Sequence, residues 1–310
     1  MNGIQVAIWR RAALGLAVLI ASSLPGCAGP PRPLRAREPV PSLQGGRIDT
    51  QPAASPRIVR VAGILLKWIT ADKQRNYDRA VPLIRQAARR GAQVVITTEC
   101  FLDGYAIRDQ HIPLETWRAL GETIPGGPYL TRLQQLAHEL DIYLVAGLLE
   151  RAGDNTYNAA VLLGPDGELI GKYRKQHLGH EQPRNTPGDT SPVFSTRLGR
   201  IGLMICADRL HPQTIRRLGD SGAELIICPS GGMWGPIQND YHLQARSREN
   251  RVPIVFVHPL EFLVTGPDGS IWARRFVAGD MSIPAQQIGT EPDRHLVALY
   301  DLPLEPRPGR

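Results

Sequence analysis

The segment Ile201-Gly202-Leu203-Met204-Ile205-Cys206-Ala207-Asp208-Arg209 places a thiol at the end of an apolar run. A short run of this kind is typical of a buried strand, and a helical pattern follows it over residues 212–222. Cys206 is therefore expected on a tight turn between a strand and a helix. α/β proteins place much of their chemistry at such strand ends, and helix N-terminal amides favour a thiolate.

Two other segments end on groups that suit the same chemistry. Glu99 follows a β-branched run over residues 93–98, and Tyr173-Arg174-Lys175 ends on an ammonium group. A carboxylate base, an ammonium group that stabilises an oxyanion and a thiol nucleophile together suit a hydrolase that works through a thioester. A lone residue of any of these types is more often structural, so only the ordered set of three indicates catalysis.

The remaining patterns alternate between strands and helices, which indicates an α/β fold. Gly-Pro-Asp-Gly occurs twice, at 164–167 and 266–269, and each copy predicts a hairpin because proline presets the turn and glycine accepts positive φ. The repeated motif is consistent with a sandwich of two similar sheets, although chance recurrence of this common turn explains it equally well. The other predicted elements are strands at 58–66, 142–149 and 157–163, helices at 72–90 and 128–140, and an irregular loop at 104–127.

The three segments together resemble the nitrilase, or carbon-nitrogen hydrolase, superfamily over residues 58–302. The resemblance is carried by Glu99, by Tyr173-Arg174-Lys175-Gln176-His177-Leu178 and by Cys206-Ala207-Asp208, and it is supported by Gly104-Tyr105, Tyr157-Asn158, Pro187-Gly188-Asp189 and the segments 222–226 and 245–250. It implies a four-layer α-β-β-α sandwich that hydrolyses non-peptide carbon-nitrogen bonds of a small amide or N-carbamoyl substrate without a cofactor.

The resemblance also implies a role for each site residue. Glu99 is the base, Cys206 is the nucleophile, and Lys175 holds the oxyanion together with the backbone N–H of Ala207. Glu181 positions the substrate or Lys175, and Tyr105 is a substrate-binding candidate. Arg209 belongs to a Cys-x-Asp-Arg pattern that resembles N-carbamoyl-amino-acid amidohydrolases, where the arginine region holds a substrate carboxylate. A surface arginine at the start of a helix is the alternative for this position.

Several positions depart from the family pattern. Thr98, Asn185, Gln213 and His258 replace a usual proline, aromatic residue, glutamate and asparagine, and Leu210 stands where carbamoylases tend to have a further arginine. These departures affect the substrate and oligomer rather than the reaction class. No metal is expected, because His177, His180, Glu181 and His211 lack a recognisable ligand spacing.

The amino-terminal residues predict export. Arg10-Arg11 precede an apolar stretch at 12–21, and Leu24-Pro25-Gly26-Cys27 looks like a lipoprotein cleavage box. Residues 1–27 are thus expected to be a signal peptide with Cys27 lipidated, 28–57 a Pro/Arg-rich tether, and 58–305 the hydrolase domain. Ordinary signal cleavage near Ala28 is the alternative. The expected product is a periplasmic or outer-face lipoprotein.

The chain of 310 residues has a formal charge of +7 and a pI near 9.5. Many of its arginines lie within the first 60 positions and no nucleic-acid motif appears, so nucleic-acid binding is not expected. Membrane contact is expected through the lipid anchor only, and a homo-oligomer is left open. Cys100 and Cys228 are expected to be buried thiols rather than a disulfide. The functional alternative is a non-catalytic, lipid-anchored protein of the same fold that binds a ligand or partner.

Overall fold

The computed structural model describes residues 56–232, 236–277 and 295–305. The predicted signal peptide, Cys27 and all but the last two residues of the predicted tether lie outside these ranges. Arg57, assigned to the tether, begins the first strand.

Strands and helices alternate through most of the described chain. The strands are β1 Arg57–Leu66, β2 Val94–Ile96, β3 Tyr143–Ala152, β4 Asn155–Leu163, β5 Leu169–Arg174, β6 Val193–Thr196, β7 Gly199–Leu203, β8 Leu225–Pro229, β9 Ile254–Val257, β10 Glu261–Thr265, β11 Ile271–Phe276 and β12 His295–Leu304. The helices are α1 Lys73–Arg89, α2 Leu114–Ala119, α3 Pro128–Leu140, α4 Pro212–Asp220 and α5 Pro236–Asn250.

The strands form two six-stranded sheets. The first has the order β12-β1-β2-β3-β4-β5 and the second the order β11-β10-β9-β8-β7-β6. At the centre of each sheet three strands run parallel, β1-β2-β3 in one and β7-β8-β9 in the other, and antiparallel strands flank them. The carboxyl ends of three neighbouring strands therefore lie along one edge of each sheet. Glu99 follows β2 at this edge of the first sheet, and Cys206 follows β7 at this edge of the second.

The two sheets pack face to face with helices on their outer sides. Ile96 of the first sheet and Leu203 and Phe262 of the second belong to one apolar core between the sheets. α1 and α3 pack on the outer face of the first sheet, and α4 and α5 on that of the second. Burial of these faces is the main favourable contribution to folding, and the α-β-β-α sandwich is confirmed.

Most predicted elements are observed within two residues of their expected bounds, and both Gly-Pro-Asp-Gly segments form hairpins, between β4 and β5 and between β10 and β11. The prediction of an irregular loop at 104–127 was wrong in part. A 3-10 turn covers Ala106–Arg108, and α2 follows it. Trp117 of α2 is fully buried and packs with the aromatic cluster near the site, which holds this short helix in place.

Cys100, Cys206 and Cys228 are all buried and free, as expected for the first and last of them. Within the described ranges, no helix has both the length and the apolar character needed to cross a membrane.

Candidate active site

Strand ends from both sheets bring the three predicted catalytic side chains into one buried site. Glu99 lies three residues beyond β2, Lys175 follows β5 directly, and Cys206 lies three residues beyond β7. Their exposed fractions are 0%, 2% and 6%. The site is therefore screened from bulk water, a condition under which electrostatic interactions are strong.

Close backbone packing holds the Glu99 segment against β3. A β-carbon on Gly147 would lie 2.4 Å from the carbonyl oxygen of Thr98 and 2.9 Å from Cα of Glu99. Only glycine allows this approach. The hydroxyl group of Thr97 accepts the N–H of Gly147 at 3.0 Å, and this side-chain contact marks the point where the segment leaves regular strand pairing.

Lys175 lies between two carboxylates. Its Nζ is 2.7 Å from Oε1 of Glu99 and 2.5 Å from Oε1 of Glu181. Burial opposes a charged ammonium group here, but the two carboxylates outweigh burial and raise the pKa of Lys175 well above its ordinary value. Lys175 is thus a permanent cation within the site.

The two glutamates have different surroundings. Both oxygens of Glu181 accept hydrogen bonds, from Lys175, from Asn158 at 3.0 and 3.2 Å, and from Asn185 at 2.8 Å. Oε1 of Glu99 accepts hydrogen bonds from Lys175 and Asn158, whereas its Oε2 has no hydrogen-bond partner among the described residues. Glu181 is therefore fixed in place, whereas Glu99 offers one buried oxygen for proton transfer.

Cys206 occupies a sharp turn. Its φ is +45°, in the left-handed region that a non-glycine residue rarely adopts, and it begins a 3-10 turn at Cys206–Leu210 that leads into α4. Ala207 follows Cys206 in this turn, so its amide is adjacent to the thiol along the chain. Strain of this kind is found at functional sites when the surrounding structure supports it.

A pair of glycines borders both reactive atoms. A β-carbon on Gly231 would lie 3.2 Å from Oε2 of Glu99, and one on Gly232 would lie 3.2 Å from Sγ of Cys206. These residues follow β8, whose neighbour β7 leads to Cys206. Glu99 and Cys206 therefore face the same short stretch of backbone.

Arg209 is buried beside Cys206 rather than at the surface. One guanidinium nitrogen lies 3.6 Å from Sγ of Cys206, and another donates to Oδ1 of Asn239 at 2.5 Å. Its exposed fraction is 3%. The cation is therefore held in the same site as Lys175.

Aromatic residues form a second part of the site's surroundings. The ring of Tyr105 lies 4.9 Å from that of Trp68 and 6.2 Å from that of His180, between centroids. Trp68 also reaches the Gly231 segment, where a β-carbon would lie 3.1 Å from its ring. Burial, followed by the nearby Glu99 carboxylate, raises the pKa of Tyr105 well above its ordinary value, so Tyr105 carries an uncharged hydroxyl group.

The contacts of three polar residues were not predicted from the sequence. Asn158 bridges Glu99 and Glu181, Asn185 holds Glu181, and Asp208 connects the Cys206 turn to the Lys175 segment. Asn158 and Asp208 belong to segments that match the family motifs, and these matches could have marked them as site residues. Asn185 was noted only as a departure from the family pattern. In the described part of the chain, no group of three or more His, Cys, Asp or Glu residues is arranged to hold a metal ion.

Residues 60–275 match the family model described as carbon-nitrogen hydrolase. The chain is 37% identical over 175 residues to a nitrilase of Pyrococcus abyssi, a match that covers 56% of this chain and 65% of the relative. It is 29% identical over 269 residues to N-carbamoylputrescine amidase of Solanum lycopersicum, covering 81% and 88%. Omega-amidase NIT2 of Homo sapiens is 32% identical over 213 residues, covering 64% and 74%.

Solved structures agree on the fold. Saccharomyces cerevisiae Nit3, described as a member of branch 10 of the nitrilase superfamily, superposes with a TM-score of 0.67 at 23% identity, covering 81% of this chain and 92% of Nit3. An amidase of Nesterenkonia from the nitrilase superfamily gives 0.66 at 23% identity, covering 81% and 93%. The chain belongs to the carbon-nitrogen hydrolase family, and the prediction of a carbon-nitrogen hydrolase is confirmed at that level.

Proposed function

We propose that this protein hydrolyses a small amide or N-carbamoyl compound through a thioester on Cys206. The observation that carries the proposal is the arrangement of Glu99. Its Oε1 holds Lys175 and Asn158, while its Oε2 and Sγ of Cys206 face the same glycine pair. A carboxylate, a cation and a thiol thus lie around one short stretch of backbone, which is the set of groups that the proposed reaction at a carbonyl group requires.

In the first half of the reaction the sulfur of Cys206 attacks the carbonyl carbon and Glu99 accepts the thiol proton. The carbonyl oxygen becomes an oxyanion, which Lys175 and the backbone N–H of Ala207 stabilise. The carbon-nitrogen bond then breaks, the leaving nitrogen takes the proton from Glu99, and ammonia or an amine departs. The product is a thioester on Cys206.

In the second half Glu99 removes a proton from water as the water attacks the thioester carbon. The same oxyanion donors act again. Collapse of this intermediate releases the acid product and returns a proton to the sulfur, which restores the starting site. Glu181, whose two oxygens are already bound, keeps Lys175 in place through both halves.

The test is ammonia release from a panel of aliphatic amides, N-carbamoyl amino acids and nitriles, with Cys206→Ala and Cys228→Ala as a matched pair. Cys228 is also a buried free thiol, and its Sγ lies 3.6 Å from Oγ of Ser230, so its variant controls for the loss of a buried thiol. We expect wild type and Cys228→Ala to release ammonia and Cys206→Ala to release none. Full activity in Cys206→Ala would exclude the thioester.

Arg209 supports a preference for substrates that carry a carboxylate, because a buried guanidinium group near the nucleophile can pair with such a group. Comparison of N-carbamoyl amino acids with uncharged amides in wild type and Arg209→Lys tests this. A loss of kcat/KM confined to the charged substrates is expected. An equal loss for both classes would mean that Arg209 acts only through Cys206 and Asn239.

A non-catalytic protein that binds a ligand or partner is the second candidate. Alkylation separates the two, because an activated Cys206 reacts with iodoacetamide much faster than the buried Cys100 and Cys228. Equal labelling of all three in folded protein would favour the binding protein.

The sequence from Arg10 to Cys27 supports export of the protein and a lipid anchor on Cys27.

A further inference from the structure

We propose that His258 is a positioning residue that holds the Gly231–Gly232 segment against the reacting groups. The proposal rests on the proposed function, since it assigns His258 a part in that reaction. His258 is one of the positions at which the chain departs from the family pattern, and the departure places an imidazole ring behind the active site.

The hydrogen bonds of His258 fix both the orientation and the tautomer of its ring. Nε2 lies 2.6 Å from the carbonyl oxygen of Gly232, an acceptor, so Nε2 carries the proton and donates it. Nδ1 accepts the backbone N–H of Leu260 at 3.2 Å. The ring also stacks on Phe256, with 6.0 Å between centroids and 6° between planes. Both ring nitrogens of His258 are thus hydrogen-bonded, and the ring is stacked on Phe256.

The surroundings keep His258 neutral. Burial lowers the pKa of His258 to about 4, against the favourable contact with the Gly232 carbonyl. The cations of Arg209 and Lys67 lower it further, and the carboxylate of Glu99 acts in the opposite direction. A neutral ring with one donor and one acceptor matches the two backbone groups on either side of it.

Among the described residues, the backbone–backbone hydrogen bonds of the segment that His258 contacts are made by Ser230. Ser230 is fixed on both sides, because its N–H donates to Val257 at 2.8 Å and its carbonyl accepts the N–H of Glu99 at 3.3 Å. Beyond Ser230 come two glycines without side chains to anchor them. The bond from His258 to Gly232 therefore fixes the far end of the stretch that faces Glu99 and Cys206.

This placement has a chemical consequence. The glycine backbone borders Oε2 of Glu99 and Sγ of Cys206, so its position sets the width of the space between base and nucleophile. Displacement of catalytic surroundings by about 1 Å can cost roughly a hundredfold in rate. Loss of the His258 bond is expected to act on kcat more than on KM, because the chemical step depends on that spacing.

The experiment compares His258→Gln with His258→Leu. Glutamine places an amide nitrogen near the position of the histidine Nε2, so it can donate to Gly232, whereas leucine has similar bulk and no donor. A third variant, His258→Asn, keeps a polar group near Leu260 but is too short to reach Gly232. The three variants separate the Gly232 bond from bulk and from burial of a polar group.

Two readouts are taken on folded protein, namely kcat and KM for ammonia release, and the rate at which iodoacetamide alkylates Cys206. We expect His258→Gln to stay within about threefold of wild type, and His258→Leu and His258→Asn to lose about tenfold or more in kcat with little change in KM. Cys206 alkylation should change in the same two variants. His258→Asn serves if His258→Leu does not fold.

Equal kcat and equal alkylation rates in all three variants and wild type would overturn the proposal, as would a change in thermal stability alone. Failure of the proposed function is a separate result. In that case wild type itself releases no ammonia from any compound in the panel, and the alkylation comparison still decides whether His258 sets the surroundings of Cys206.

Discussion

The hydroxyl group of Tyr173 donates to Oδ2 of Asp208 at 2.7 Å. Tyr173 stands two residues before Lys175 and Asp208 stands two residues after Cys206, so this bond joins the segments that carry Lys175 and Cys206. Asp208 also accepts the N–H of Ile205 on the same oxygen, and the N–H of His177 on the other, both at 3.0 Å. One carboxyl group therefore sets the distance between two parts of the site.

Replacement of Asp208 by asparagine should loosen this connection. We expect a loss of about 1–3 kcal/mol in the free energy of unfolding and a fall of about tenfold or more in kcat, because buried hydrogen-bond partners are left unpaired and Lys175 shifts relative to Cys206. Urea unfolding and ammonia release measure the two effects. Tyr173→Phe removes a single bond and should give a smaller change in both; a larger effect from Tyr173→Phe would contradict this account.

Lys175→Ala should lower kcat by two orders of magnitude or more, the usual cost of deleting an oxyanion donor, about 3 kcal/mol. Lys172→Ala is the matched control, since Lys172 lies on β5, the strand that Lys175 directly follows, is partly exposed and pairs with Glu150 outside the site. Steady-state kinetics on both variants provide the measurement. If only KM changes in Lys175→Ala, Lys175 binds substrate without stabilising the oxyanion.

The buried carboxyl group of Asp103 should make stability depend on pH. Burial raises the pKa of Asp103 to about 7, although it accepts the N–H groups of Leu149 and Ala106. The folded protein then binds more protons than the unfolded chain between about pH 4 and 7, so the free energy of unfolding falls as the pH rises through this window.

Asp103→Asn cannot titrate and should flatten that dependence. The expected change in slope is up to about 1.4 kcal/mol per pH unit, the limit for one proton. Urea unfolding of both proteins at several pH values from 5 to 8 measures it, and the slope rather than the absolute stability is compared. Parallel curves for the two proteins would show that Asp103 is ionised throughout.

The proposed lipid anchor predicts a change in partitioning. Cys27→Ala, expressed in a bacterial host, should move the protein from the detergent phase to the soluble fraction, because the variant lacks the residue that would carry lipid. Cys100→Ala controls for the loss of a thiol. Unchanged partitioning of Cys27→Ala would instead support ordinary cleavage near Ala28.

The sequence predicted that Glu99, Lys175 and Cys206 belong to one site, because Glu99 and Cys206 each follow an apolar run and Lys175 lies in a family motif. The structure places the three side chains together, and their catalytic roles stay a prediction. A buried strand needs a run of apolar residues, and such a run is visible in a single sequence. The helix α2 was missed for the opposite reason. It has six residues, too few for a periodic pattern, and it is held by Trp117, whose contacts are distant along the chain.

The supporting contacts were less visible. Asn158 and Asn185 hold buried carboxylates, but an asparagine in a sequence usually indicates a turn or an exposed position. Nothing local pairs His258 with Gly232, which are 26 residues apart. Such bonds arise only after the strands are aligned, so they follow from the fold and not from the segments that contain them.

The division of the site between two sheets gives enzymatic activity a diagnostic value. Glu99 and Lys175 come directly after or close after strands of one sheet, and Cys206 comes close after a strand of the other. An intermediate in which each sheet keeps its own hydrogen bonds while the apolar core between them is open would appear native by far-ultraviolet circular dichroism and would still be inactive. Enzymatic turnover therefore detects the packing of the two sheets against each other, a step that secondary-structure probes do not detect.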